Sequence, residues 1–279
     1  MPMRLLFLKQ WKVEGRFNMG WLPVPNPIAF TVFGLEIRWY AICLTTGMVV
    51  GLLIGYYRAP KKGLSRDRLL DYFIWCAPAA IICARLYYVI FEWDRYKDNL
   101  AQIFNLRGGG LAIHGALIGA FVAMFCVAKH YKENMLDWAE LTAPCWPLAQ
   151  AIGRWGNYFN SEAHGVETTL PWAIFADGKW VHPTFLYESI WCFLLALFLF
   201  WLDGTGRTKF KGQLISLYMM IYSVERYFVE SLRTDSLWIG PFRQAQLISL
   251  AIFIAGFVLY QVFKKRNQAQ PLEEQTIEE

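Results

Sequence analysis

The residues with the most chemical content fall in one stretch, Gly153-Arg154-Trp155-Gly156-Asn157-Tyr158-Phe159-Asn160-Ser161-Glu162-Ala163-His164-Gly165. It follows the hydrophobic run Leu141 to Ile152, which carries Pro144 and Pro147. A guanidinium therefore stands at the end of a membrane-compatible helix, with glycines and amides directly after it. In hydrocarbon an arginine costs about 2.5–3.5 kcal/mol even on the mildest insertion scale, so it needs a partner. Asn157 and Ser161 lie three and seven residues beyond Arg154, and a continuing helix puts all three on one face. The glycines let backbone approach a ligand or leave the helix. A helix end with an arginine snorkelling to the interface fits the same residues, and this stretch alone leaves both readings open.

Other ionisable groups stand in equally apolar surroundings: Arg85, His114, Glu188, Arg226, Glu230 and Arg233. Arg226 and Glu230 form an i,i+4 pair, with Arg233 a further turn along the same face. That pair reads as an ion pair inside a bundle and also as a carboxylate orienting Arg226 for a ligand. Guanidinium forks match phosphate oxygens, and several together suit an anionic head group. His114 is the histidine placed inside an apolar run, and Gly115 beside it lets another group approach, so it is a candidate base or head-group donor. His182-Pro183 opens a helix and reads as a cap; His130 reads as solvated. Glu162-Ala163-His164 lacks a third ligand at helical spacing, and no HExxH, GxSxG or Walker pattern occurs. No metal and no cofactor are expected. The six cysteines, Cys43, Cys76, Cys83, Cys126, Cys145 and Cys192, all fall in apolar runs without a CxxC, which supports neither a disulfide framework nor a zinc site.

The elements that must position these residues are membrane helices. With 56% hydrophobic and 17% aromatic residues in a 279-residue chain, and with charge concentrated between long apolar runs, the class is an all-α polytopic membrane protein. Seven spans are expected: Trp39 to Tyr57, Leu69 to Phe91, Gly108 to Ala128, Trp138 to Gly153, Pro183 to Leu202, Leu214 to Leu232 and Gln244 to Phe263. The spacing of Gly115 and Gly119 makes a small-residue face for close helix packing. One transmembrane bundle, residues 1–263, is expected, with an N-terminal extracytoplasmic segment 1–37 and a small outer cap at 157–182; residues 264–279 make a polar, solvated tail. Loops rich in lysine and arginine, at Arg58 to Arg68, Lys129 and Lys132, Arg207 to Lys211 and Lys264 to Arg266, fall on one side, assigned to the cytoplasm. The N-terminus is then outside and the C-terminus inside. Arg4, Lys9, Lys12 and Arg16 conflict with that orientation, which sets the first eighteen residues apart and leaves the natural start open between Met1 and Met19. The net charge of +5 does not indicate nucleic acid, because the basic residues lie in short loops and not on one soluble face.

Mapped by depth, the unusual charges converge. Arg38, Arg85, His114, Arg154, Glu188, Arg226, Glu230, Arg233 and Arg243 all fall in the outer half, with His114 roughly 9 Å deep at 1.5 Å per residue. Independent structural pairs would scatter over both halves, so one polar site facing the outer leaflet is expected. A transporter of an anionic lipid or small anion is the alternative, but it should show repeated halves and charges near the midplane, and neither is present. An intramembrane protease needs a buried Ser/His pair or paired aspartates, and Asp71 is the one aspartate within an expected span.

The chain resembles the bacterial prolipoprotein diacylglyceryl transferases. The blocks that match are Arg38-Trp39-Tyr40, Ala84-Arg85-Leu86-Tyr87-Tyr88, Gly109-Gly110-Leu111-Ala112-Ile113-His114-Gly115, Gly153-Arg154-Trp155-Gly156-Asn157 with Asn160, Glu162 and Gly165, His182-Pro183-Thr184 with Tyr187-Glu188, and Arg226 to Glu230 with Arg233 and Asp235. They span most of the chain in family order, leaving the first eighteen residues uncovered. The resemblance implies transfer of the diacylglyceryl group of phosphatidylglycerol to the lipobox cysteine of a preprolipoprotein, with loss of glycerol phosphate, in the bacterial cytoplasmic membrane. The partners implied are phosphatidylglycerol, the lipobox segment and the bilayer. His114, Arg154, Arg226 and Glu230 are the implied catalytic residues, with Tyr40, Arg85, Asn157, Glu162, Gly165, Glu188 and Arg233 binding substrate. His114 or a carboxylate would take the thiol proton.

Overall fold

A computed structural model describes residues 22, 25–106 and 109–277, with side chains to Gln268. Met19 and Gly108 lie outside the described residues. A hairpin of β1 (Ile28–Val32) and β2 (Leu35–Arg38) turns at Phe33 and Gly34, both at positive φ (49° and 77°), the backbone that matches the strand twist. It leads directly into α1 (Trp39–Arg58). Next come α2 (Arg66–Phe91), α3 (Ile113–Tyr131), α4 (Met135–Thr142) and α5 (Cys145–Phe159). A second hairpin, β3 (Ile174–Ala176) with β4 (Lys179–Val181), precedes α6 (Thr184–Gly204) and α7 (Gln213–Leu232). A third, β5 (Trp238–Ile239) with β6 (Phe242–Arg243), opens α8 (Gln244–Ile277).

The fold is mainly helical, and the three hairpins sit in connections where apolar periodicity carries no signal. Among the described residues, five helical stretches are long and apolar enough to cross a membrane: Trp39–Lys62, Arg66–Phe91, Ile113–Tyr131, Thr184–Gly204 and Gln244–Gln268. The 26 residues of α2 reach about 39 Å, against a hydrocarbon core of about 30 Å. The stretch expected as a fourth span is instead two helices broken at Ala143-Pro144. Pro144 has no N–H for the Glu140 carbonyl, and its ring crowds the preceding turn. The stretch expected as a sixth span is the 20-residue α7, whose Glu225, Arg226 and Glu230 distinguish it from the five apolar stretches. The expected polar tail continues α8 as helix to Ile277, in keeping with its run of Lys, Arg, Gln and Ala.

The chain forms two compact units. The first takes residues up to Gly47, Ala149–Leu195 and Met219–Ala255. Its apolar core is Tyr158, Ile174, Ala176, Val181 and Phe185, so the β3–β4 hairpin is folded onto the ends of α5 and α6 by aromatic packing; the Tyr158 and Phe185 rings lie 5.1 Å apart. The second takes Met48–Leu148, Ala196–Tyr218 and Gly256 onward. Its core joins Ala59, Leu69, Tyr72, Val127, Ala128, Trp138 and Leu141. Within it the Glu140 carboxylate accepts from the Ile215 N–H at 2.9 Å, placing an anion on the N-terminus of α7. Arg58 joins Asp203 at 2.6 Å to the Leu141 carbonyl at 2.7 Å.

The expected small-residue face is real at α2 and α3. A Cβ at Gly115 would stand 2.3 Å from the Cys83 carbonyl oxygen, and one at Gly119 would stand 2.5 Å from that of Ala79. Gly119→Val therefore has to push two backbones apart, at a cost of about 1–3 kcal/mol. Thermal unfolding in detergent should show a lowered midpoint for Gly119→Val and none for Gly204→Ala, where a Cβ meets open space. Equal midpoints for both would contradict this packing.

Candidate active site

The first unit gathers charge around one carboxylate. Glu188, near the start of α6, is 0% exposed. Its Oε1 accepts from Arg226 Nη1 at 2.9 Å, and its Oε2 lies 3.2 Å from Arg154 Nε. Arg233 Nη1 stands 4.0 Å from Oε1. The other side of Arg226 meets Glu230, 2% exposed, with Nη2 to Oε2 at 2.7 Å. Arg226 is thus gripped between a carboxylate of α6 and one a turn along its own helix, while Arg154 Nη2 also donates to the Tyr222 hydroxyl at 3.3 Å. Removing one member of such a set leaves an uncompensated buried charge, at about 3–5 kcal/mol. Each ion therefore fixes the others. The result is two planar guanidiniums, from α5 and α7, set in place by acids that engage only part of each five-donor fork.

The loop after α5 is built just as tightly. Asn157 donates to Glu162 Oε1 at 3.1 Å. Ser161 and Ala163, on either side of Glu162, both adopt left-handed backbone (φ 52° and 58°), a conformation costing non-glycine residues roughly 1–2 kcal/mol each. Backbone held in such regions clusters at functional sites. The Thr184 hydroxyl holds the turn through the Ala163 carbonyl. Gly165 then runs against both α6 and α7: its N–H donates to the His182 carbonyl at 2.9 Å, and Val166 N–H to the Leu232 carbonyl at 2.8 Å. A Cβ at Gly165 would stand 2.7 Å from that of His182, so only glycine fits. The Tyr40 ring packs against Gly156, within electrostatic reach of Glu162 and Arg154.

Two partners carry no periodic signal in the sequence. Asp235 takes the Arg233 fork in two parallel bonds, 2.9 and 2.7 Å. Arg243 donates to the carbonyls of Glu230 and, at 3.1 Å, Arg233, and so satisfies the last turn of α7. Two others, Tyr222 and Glu225, share the α7 face of Arg226 by their spacing but were not singled out, because a polar residue in a helix does not announce its partner.

Arg85 and His114 belong to the second unit. The Arg85 guanidinium, 6% exposed, donates to five backbone carbonyls: Nε to Ile103 (2.8 Å), Nη1 to Gly109 (2.8 Å) and Gly110 (2.9 Å), and Nη2 to Gln102 (2.7 Å) and Asn105 (3.0 Å). All five donors are taken by the loop ahead of α3, and the Tyr96 ring lies 5.0 Å from the cation. His114 sits in the first turn of α3, half-buried, its ring centre 6.0 Å from that of Tyr87. Of the residues picked from the sequence, the structure brings together Tyr40, Arg154, Asn157, Glu162, Gly165, Glu188, Arg226, Glu230 and Arg233 in one unit. It places Arg85 and His114 in the other.

Burial alone would raise the Asp235 carboxyl, but the hydrogen bond and charge of Arg233 outweigh it and hold the group below the usual carboxylate range. A depressed acid stabilises fully above its unfolded value, about 3.9, and that stabilisation is lost as pH falls through the lower folded value. Acid unfolding followed by near-UV circular dichroism should therefore be less steep below about pH 4 in Asp235→Asn. An unchanged acid limb would show that the Arg233 fork contributes nothing there.

Comparison with known proteins covers the stretch of chain that carries these residues. A profile of the prolipoprotein diacylglyceryl transferase family covers residues 27–262. A phosphatidylglycerol–prolipoprotein diacylglyceryl transferase of Clostridioides difficile is 48% identical over 247 residues, 88% of this chain and 99% of that protein. Proteins of the same name from Finegoldia magna (47% over 239 residues, 86% of this chain and 96% of that one) and Clostridium botulinum (46% over 254 residues, 87% and 99%) are similarly alike. With a buried arginine–carboxylate cluster, membrane-length helices and nearly half of the aligned residues identical to these relatives, this chain belongs to the prolipoprotein diacylglyceryl transferase family.

Proposed function

We propose that the protein transfers the diacylglyceryl group of phosphatidylglycerol to the thiol of a lipobox cysteine in a preprolipoprotein, forming a thioether and releasing glycerol phosphate. The observation that carries the reading is the pair of guanidiniums, Arg154 and Arg226, held by the fully buried Glu188. In the reaction a thiolate attacks the glyceryl carbon, the carbon–oxygen bond breaks, and the phosphate leaves with the electron pair as a monoester. Negative charge grows on the departing phosphate. Preset donors aimed at that charge lower the barrier more than they strengthen substrate binding. In this reading Arg154 and Arg226 hold the phosphate, Glu188 and Glu230 hold the arginines, and Tyr40, Asn157, Glu162, Gly165 and Arg233 shape the surrounding wall. The thiol proton goes to a general base, His114 or a carboxylate. Arg85 acts on the loop that leads to His114, because its own fork is filled by carbonyls.

The reading further places the chain in the bacterial cytoplasmic membrane, with the Gly165–Trp180 segment outside and the end of α8 in the cytoplasm. Single cysteines at Gly178 and in the tail of a cysteine-free protein test this in intact cells. An impermeant thiol reagent should label the first and spare the second, and the reverse pattern overturns the orientation.

Transfer itself is tested by incubating purified protein with phosphatidylglycerol and a lipobox peptide, and weighing the peptide by mass spectrometry. The expected result is addition of one diacylglyceryl group to the cysteine; an unmodified peptide with folded protein overturns the function. Arg154→Lys keeps the charge but loses the planar fork, so kcat/KM should fall about 100-fold or more. His114→Asn should fold and bind lipid with near-normal KM while kcat falls about 100-fold. Loss confined to thermal stability would assign His114 a structural role.

A further inference from the structure

The mechanism leaves one buried acid unused. Glu225 of α7 is 4% exposed, and neither of its carboxylate oxygens has a hydrogen-bond donor or an ion pair among the described residues. It differs in this from its neighbours. Glu188 Oε2 and Glu230 Oε2 also lack an aligned hydrogen bond, but they lie 3.2 and 2.7 Å from arginine nitrogens. The charges that act on Glu225 are those of Arg154, Arg226 and Glu188, the three members at the centre of the site. Spacing explains why: Tyr222, Glu225 and Arg226 occupy one face of α7, and Tyr222 bonds to Arg154. So an unmatched buried acceptor stands on the stretch of α7 that carries Arg226 and Tyr222, the hydroxyl partner of Arg154.

A buried acceptor left unsatisfied costs free energy, and more when it is charged. It persists where something else is gained. The two arginines beside it are already committed to Glu188 and Glu230, so a further cation is not what Glu225 is missing. What it can take is an O–H or N–H donor carried in by a ligand whose anionic part lies on the arginines. We infer that Glu225 accepts a hydrogen bond from a hydroxyl of the lipid head group, and so selects a phosphodiester bearing a hydroxylated alkyl chain. The assignment rests on the transferase reading and names its specificity residue. Phosphatidylglycerol has the required chemistry: a phosphate monoanion, and on its far side a glycerol with two free hydroxyls. A site that leaves a buried acceptor unpaired with the wrong substrate rejects that substrate far more strongly than an apolar pocket rejects a misfit.

The test compares phosphatidylglycerol with phosphatidylpropanol of the same acyl chains, which keeps the phosphodiester and lacks both hydroxyls. Wild-type protein in mixed micelles with a lipobox peptide should favour phosphatidylglycerol by about 10- to 100-fold in kcat/KM, the range for a hydrogen bond to a charged group. Glu225→Leu should bring that ratio close to one, and Glu225→Gln, whose amide oxygen still accepts, should keep part of it. A wild-type ratio near one overturns the assignment. So does Glu225→Leu with both rates lowered in proportion and the ratio preserved, which would mean Glu225 acts only through the arginines. Should Glu225→Leu fail to fold, inhibition of wild-type protein decides: glycerol 1-phosphate must inhibit more strongly than propyl phosphate, and equal inhibition overturns the assignment. Wild-type protein that modifies the peptide with neither lipid removes the transferase reading together with this one, an outcome distinct from transfer without discrimination.

Discussion

Burying Glu188 is the constraint from which the rest of the first unit follows. A carboxylate with no exposure is costly to leave alone, and Arg154 and Arg226 answer it from two other helices. Those arginines could not be buried without it either. The cost of desolvation is thereby turned into positional order: α5, α6 and α7 must meet where their charges meet, since any slip along a helix strands an ion. Secondary contacts reinforce the same alignment. The Ser189 hydroxyl donates to the Ala151 carbonyl at 2.8 Å one residue beyond Glu188, and Gly165 locks the connecting loop between His182 and Leu232. Ionic and backbone interactions here specify one arrangement of helices that apolar packing alone would leave loose.

Two sets of arginines, Arg154 with Arg226 in the first unit and Arg85 in the second, are held in opposite ways. In the first, guanidiniums face carboxylates, which fix the planes of the forks while leaving part of each fork for another anion. In the second, Arg85 faces only carbonyls, and every donor is consumed. The first arrangement suits a ligand with negative charge, and the second suits holding a loop in shape. That difference in partner type is invisible in the sequence, where all three arginines look alike as charges in apolar runs.

The membrane class, the five apolar spans and the charged face of α7 were legible in the sequence because they are written in periodicity and composition. So was the glycine face of α3, where spacing by four meant close approach, and so was the cluster of Arg154, Arg226 and Glu230. The break in the fourth expected span was harder to see, since Pro144 and Pro147 are both tolerated near a helix start and only the partners of the freed carbonyls decide where the helix ends. Arg85, expected among the substrate-binding residues, has main-chain oxygens as partners in the structure, and no residue type marks a carbonyl that is about to be bonded. The three hairpins are too short for an alternation pattern. Glu225 was visible as a letter, yet its significance lies in what does not touch it, which no sequence records.

The carbonyl clamp around Arg85 has a consequence for how the protein meets a changing environment. Carbonyl oxygens bind no proton in ordinary acidity, and a guanidinium does not give one up. The carbonyls of Gln102, Ile103, Asn105, Gly109 and Gly110 are therefore tied by a knot that acid and base cannot loosen, and their short bonds to one buried cation are shielded from dissolved salt as well. The Arg233–Asp235 fork, half in water, has neither protection. Under swings of acidity and ionic strength this chain has one joint that yields to its surroundings and one that stays shut.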